Sequence, residues 1–237
     1  MELSTKPDCN ECLARIDAWF AQAIVDRPPV RFCYDDGPHA AAEAVDTQRW
    51  ASLEQRWFDV DYQIEMFERS LVGRAFYAET FPVFWPNLGP SAYAAFYGGR
   101  LQFDTRTSWF EPVIAQLEDL SPLAHDPFTS VYFRKLEELT VRALERCGRQ
   151  YLVGYPDVHP SLDCAAAWRG ITALCLDMAS APAQLAPLLE LSVRDFQRVF
   201  AHFNRLVRAH GLPSITWLGI PSFDAQHIPS CDVSAMI

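Results

Sequence analysis

Asp157, His159 and Asp163 stand within seven residues of one another, directly after the apolar run 151–155. Histidine titrates near neutral pH, and a neighbouring carboxylate can orient its ring, so Asp157 and His159 are the first candidates for acid/base or ligand-binding work. In a tight turn, positions 157 and 159 can point the same way. Asp163 falls where a carboxylate suits the positive end of a helix. Three elements must hold these groups. Residues 151–155 read as a fully buried strand. Pro156 stops it, having no amide proton for a ladder. A helix is expected over 162–168, with Ser161 as its cap and Arg169 and Gly170 at its close. A strand, a polar turn and a helix in that order are how α/β enzymes present chemistry at the carboxyl ends of strands. The plainer reading is a capped turn with a surface histidine.

Other residues are candidates for a supporting role. Asn87 and Gly89 precede an expected helix over 91–97 and could turn backbone amides toward a ligand. Trp85, Trp109 and Trp217 could wall a pocket or simply fill core, and Tyr155 closes the central strand. Arg169 could anchor a substrate, although an arginine at a helix end is more often structural. Glu79 sits among aromatic residues, where burial would raise its pKa. Cys9 and Cys12 form a lone CxxC with no second ligand pair, which reads as structural thiols. His227 and Cys231 are four apart in a loop, which fixes no common face. There is no glycine-rich nucleotide motif, no nucleophile elbow and no zinc-protease motif.

A chain of 237 residues that is 50% hydrophobic can bury a sizeable core, as one large domain or two small ones. A net charge of −10 without long runs argues against nucleic acid or an anionic membrane as partner. Seven scattered cysteines suit reduced thiols, and no signal peptide or spanning segment is visible, so a cytoplasmic protein is expected.

Taken in order, residues 1–75 read as a helical extension. One helix starts at Asp8 with an apolar stripe at Leu13, Ile16, Trp19, Phe20 and Ile24. A short strand over 30–34 and a loop over 35–45 follow. Asp46 or Thr47 then caps a helix running to Leu71. From residue 76 onward, strands 83–85, 152–155 and 215–218 are expected in one mostly parallel sheet. Helices are expected over 127–147, 171–178 and 182–209, the last with a capping box at Ser192 and Asp195. A final strand begins near Cys231.

Four segments, in this order, resemble the uroporphyrinogen decarboxylase superfamily, which includes the corrinoid-linked methyltransferases. They are FWPNLGP at 84–90 with AAFYGG after it, the stretch 151–170, LCLDM at 174–178 followed by Pro182, and CDVSAMI at 231–237. The resemblance covers roughly 49–237. It implies an α/β fold, a (β/α) TIM-type barrel over 76–237, incomplete because the chain ends where family members enter the next helix. It implies an enzyme acting on a small molecule or a tetrapyrrole- or corrinoid-linked substrate at the barrel mouth. Asp157 and His159 would be catalytic there, with Asn87, Trp85, Trp109, Tyr155, Trp217, Arg169 and Asp232 around the substrate. The family's arginine-rich signature is absent, its glycine-rich turn reads GYPDVHPS at 154–161, and its substrate-facing tyrosine falls near Ala165. Methyltransferase-like or uncharacterised chemistry on a small-molecule substrate is therefore the leading expectation, methyl transfer implying a corrinoid protein as partner, and porphyrinogen decarboxylation is the alternative. The methyltransferases' zinc ligands lie in a C-terminal part beyond this chain, so zinc is expected only through that part. A non-catalytic ligand-binding barrel or an inactive fragment is the reading of a different class.

Overall fold

The computed structural model describes residues 1–32, 49–224, 226, 227, 231 and 233. The expected loop 35–45, the cap at Asp46 or Thr47, Cys33 and Tyr34 of the short strand, Asp232 and most of the strand from Cys231 lie outside the described residues. The chain is mixed helix and strand, 48% helical with few short strands. It forms two compact units, one of Met1–Pro86, Leu139–Tyr155 and Asn204–His227, the other of Asn87–Glu138, Pro156–Phe203 and Ile228–Ile237. No helix among the described residues is long and apolar enough to cross a membrane.

In the first unit, helix α1 (Cys9–Phe20) buries Leu13 and Ile16 as the stripe requires, but Trp19 and Ile24 stay exposed. Asp8 stands at the N-cap without bonding a helix amide. Its carboxylate instead accepts from Lys6 Nζ at 2.9 Å and Cys12 Sγ at 3.3 Å. Lys6 is fully buried and also donates to the carbonyls of Phe76 and Ala78, so its charge is satisfied where solvent cannot reach. Burial, helped by Asp8, pushes the Cys12 thiol up to about 11, which makes it a poor nucleophile at neutral pH.

The helix expected up to Leu71 is two helices, α2 (Leu53–Phe58) and α3 (Val60–Ser70). Asp59 breaks it: its backbone is extended and its side chain caps Tyr62 N at 3.0 Å. A mid-helix aspartate can satisfy a fresh helix start better than it can continue the old helix.

Strand β1 (Val83–Phe84) pairs parallel with β4 (Leu152–Val153), Val83 opposite Leu152. Gly154 N extends the pairing by donating to Phe84 O at 2.9 Å. The expected third parallel strand is not laddered to them. The chain over 214–222 is a hairpin, β5 (Ser214–Ile215) antiparallel to β6 (Pro221–Ser222). Gly219 is responsible, with φ +68 and its N–H bonded to Thr216 O at 2.8 Å. Even so, Ile215 O lies only 3.4 Å from where a Gly154 Cβ would stand, so β5 runs close beside the end of β4. Phe84, Leu152, Val153 and Ile215 share one core with Ile16, Ile64, Ala143 and Val207. The described strands thus form three two-stranded sheets rather than one wall, the third being β2 (Leu101–Phe103) against β3 (Ser108–Phe110) in the second unit.

The second unit is mostly helical. Helix α4 (Ala92–Ala95) is a single turn, shorter than expected. Helices α6 (Leu162–Arg169), α7 (Ile171–Ser180) and α8 (Pro182–Arg194) pack on one another. Helices α5 (Val131–Arg146) and α9 (Phe196–Ala209) each give this unit their first half. The long helix expected over 182–209 breaks at Asp195, and no capping box forms, because Ser192 lies inside α8 with its hydroxyl on Leu189 O. Asp195, 5% exposed, accepts from Arg194, Arg198 and Tyr97. Edge-to-face rings fill the core: Phe96 on Phe133 at 5.5 Å and Tyr97 on Trp168 at 5.2 Å.

Candidate functional site

The turn after β4 and the first turn of α6 assemble the site inside the second unit. His159 Nε2 lies 2.6 Å from Asp157 Oδ1, and Nδ1 lies 3.6 Å from Asp163 Oδ2. The side chains are 15%, 9% and 14% exposed for His159, Asp157 and Asp163. His159 thus stands between two carboxylates, Asp157 on its Nε2 side and Asp163 on its Nδ1 side, so a positive charge on the ring would have a carboxylate on each side.

Ser161 takes the N-cap position but makes no side-chain cap bond. Its backbone is at φ 67 and ψ −133, a conformation costly for a non-glycine residue and one that stores roughly 1–3 kcal/mol of strain. The turn is bent there between His159 and Asp163, which face each other across it. Asp163 has a further duty, accepting Val233 N at 3.1 Å.

His159 and Asp163 line a cavity of about 250 Å³, walled by Pro90, Ser91, Ala166, Ala167, Ile171 and Val233. Asp157 is not part of its lining. No lysine or arginine is either, so the cavity offers one histidine, one carboxylate and an otherwise mainly apolar wall. Asp163, Ala166 and Ala167 recur at the spacing of one helical face, a signal that could have placed Asp163 in the cavity from sequence.

Asn87 does not aim amides at a ligand. Its Oδ1 accepts Gly89 N at 2.7 Å, closing a local turn, and a one-turn α4 has no helix end to offer. Gly89 is needed there, with φ +99, and a Cβ on it would stand 1.9 Å from Ser108 Oγ and 3.0 Å from Ser108 N. The hydroxyl can swing away, but the backbone cannot. Gly89→Ala should therefore cost about 2 kcal/mol in strain, seen as a melting temperature lower by roughly 4–8 °C. A melt within about 1 °C of the parent would contradict that reading of the turn.

Arg169 is committed elsewhere, to Asp177 at 2.7 Å and to the carbonyls of Ile114 and Ala115, which ties α6 to α7 and to the chain before it. Trp109 sits in β3, half exposed. Trp85, Tyr155 and Trp217 belong to the first unit. Among the described residues the buried Trp85 Nε1 has no hydrogen-bond partner, Tyr155 OH lies 3.5 Å from His227 Nδ1, and Trp217 is partly exposed. Among the described residues no group of three or more His, Cys, Asp or Glu side chains could hold a metal ion. No family model matches the chain, and no curated protein and no solved structure matches it.

Proposed function

We propose that this chain is an enzyme that binds a small neutral or cationic molecule in the cavity beside α6 and moves a proton at His159. The observation that carries the reading is the Asp157–His159–Asp163 alignment: one carboxylate holds Nε2 from behind while the other stands with Nδ1 at the cavity wall. In that arrangement Asp157 is the positioning residue, its carboxylate 2.6 Å from Nε2. His159 accepts or delivers the proton, and Asp163 stabilises the imidazolium or receives the substrate's donor group. Among the described residues the wall has no lysine or arginine to meet an acidic substrate, which favours methyltransferase-like or other neutral-substrate chemistry over decarboxylation of a porphyrinogen. Relation to the uroporphyrinogen decarboxylase superfamily, with its TIM-type barrel, is part of the same proposal. The order of the four resembling segments and the parallel pairing of β1 with β4 support it.

A second reading has its own observation. The bond from Asp163 to Val233 N makes the cluster a polar lock that pins residue 233 onto α6. The two readings separate in a thermal-shift screen of small alcohols, amides and amines against the parent protein, His159→Ala and Asp163→Asn. Because Asp157 is left buried without its partner, His159→Ala should itself cost about 1–3 kcal/mol. An enzyme site predicts at least one compound that raises the melting temperature of the parent but not of His159→Ala. If every stabilising compound acts equally on both, the lock is the correct account.

A further inference from the structure

The first unit carries a second cavity that the His159 site does not use. It measures about 220 Å³ and is lined by Ile16, Trp19, Pro29, Arg31, Glu79 and Ile220. Its polar floor is already built. Glu79, 2% exposed, accepts both terminal nitrogens of Arg27 at 2.8 and 2.9 Å, Arg15 Nη1 at 3.3 Å and Val30 N at 2.6 Å. Arg15 in turn holds Asp26 through two nitrogens at 2.7 and 2.9 Å. Glu79 therefore has no lone pair left to offer a ligand, and its charge is balanced.

Arg31 is different. It lines the same cavity, and among the described residues no carboxylate lies within ion-pair distance of it. Its guanidinium lies beside Gly219, 3.4 Å from where a Cβ would stand, which places it at the solvent-exposed edge of the cavity. Among the described residues of the network, Arg15, Arg27 and Arg31 face Asp26 and Glu79, which leaves one positive charge over. Glu11 touches this set only at 4.0 Å from Arg15 and is 74% exposed, so solvent screens it. The remaining wall is apolar, and its largest member, Trp19, is 51% exposed. A half-exposed tryptophan beside a guanidinium that makes no ion pair among the described residues is an arrangement that satisfies an amphipathic anion, ring or branched chain on Trp19, charge on Arg31.

We propose that this cavity is a binding site for a small monocarboxylate with an aromatic or branched apolar body. One charge is matched rather than two, because Arg31 supplies the one positive charge that the described network leaves over. The volume falls below the roughly 300–1,000 Å³ of sites for drug-sized ligands, which limits the occupant to a small molecule. The guanidinium fork takes the carboxylate, and the body lies against Trp19, Ile16, Pro29 and Ile220.

The test is isothermal titration calorimetry of the full chain with phenylacetate, with phenethylamine and benzyl alcohol as charge controls. Phenylacetate should bind the parent protein, and the amine should not. Arg31→Gln should weaken phenylacetate by about tenfold or more, the loss of one charge-assisted contact. Trp19→Ala should weaken it too, while His159→Ala should leave it unchanged. Arg31 is exposed and makes no ion pair in the described structure, so its variant should melt with the parent. No phenylacetate binding, equal binding of the amine, or equal binding by Arg31→Gln would overturn the proposal. Loss of phenylacetate binding in His159→Ala would place the ligand in the other cavity and overturn it as well.

Discussion

Trp168→Ala should lower stability by about 3–5 kcal/mol, the usual cost of emptying a large buried aromatic site. Trp168 is fully buried in α6. Its indole meets Tyr97 edge to face at 5.2 Å, and Nε1 donates to Ala94 O at 2.9 Å. Three contributions are lost together: the apolar area, the ring pair and a buried hydrogen bond whose acceptor is left behind. The melting temperature should fall by roughly 6–20 °C. Trp168→Phe separates the contributions, since it keeps most of the volume and loses the donor to Ala94, and it should cost only about 1–3 kcal/mol. A Trp168→Ala protein melting within about 3 °C of the parent would show that α6 is not anchored through this ring. The consequence reaches the site, because α6 carries Asp163, Ala166 and Ala167, three of the residues that form the His159 cavity.

What local pattern could reveal and what it could not divides along a physical line. Helix α6 was legible because its signals are local, Pro156 ahead of it and Gly170 at φ 82 after it, although Ser161, expected as its cap, makes no cap bond. Asp157 and His159 were legible as a pair because two residues in one turn need no distant partner to meet. Asp163 was read as a helix-end charge, and the tie to Val233, seventy residues away, leaves no trace in its own neighbourhood. The strand expected over 215–218 looked continuous by composition, yet one left-handed glycine at 219 turned it into a hairpin. At Asp59 and Asp195 an acidic residue inside a helical pattern ended the helix. Each has a partner outside the helix it ends, Trp50 for Asp59 and Tyr97 for Asp195, that favours the break. Periodicity reports a helix's face, and it is silent about which polar residue on that face will find a better bond outside the helix.

Glu79 is the sharpest reversal, and it carries the last prediction. Burial among aromatic residues was expected to raise its pKa, and burial does act in that direction. It is outweighed by the hydrogen bonds from Arg27, Val30 N and Arg15, so the carboxyl is held below the ordinary glutamate value. Removing it would leave two arginines around an empty acceptor. Glu79→Ala should then cost about 3 kcal/mol near pH 7, the low end for breaking a buried pair, because Arg27 is 38% exposed and partly screened. A carboxyl with a lowered folded-state pKa stabilises only while ionised. Its contribution is complete above the unfolded value of about 4.3 and disappears as pH falls through the lower folded value. The stability gap between parent and Glu79→Ala should therefore be constant at neutral pH and narrow as the medium is taken well below pH ~4. Asp26, held at about 2 mainly by Arg15, weakens the parent in the same direction but is present in both proteins and does not set the gap. Chemical denaturation of the pair across that range makes the measurement. A gap that widens on acidification would mean Glu79 is protonated in the folded protein, with burial prevailing over the arginines.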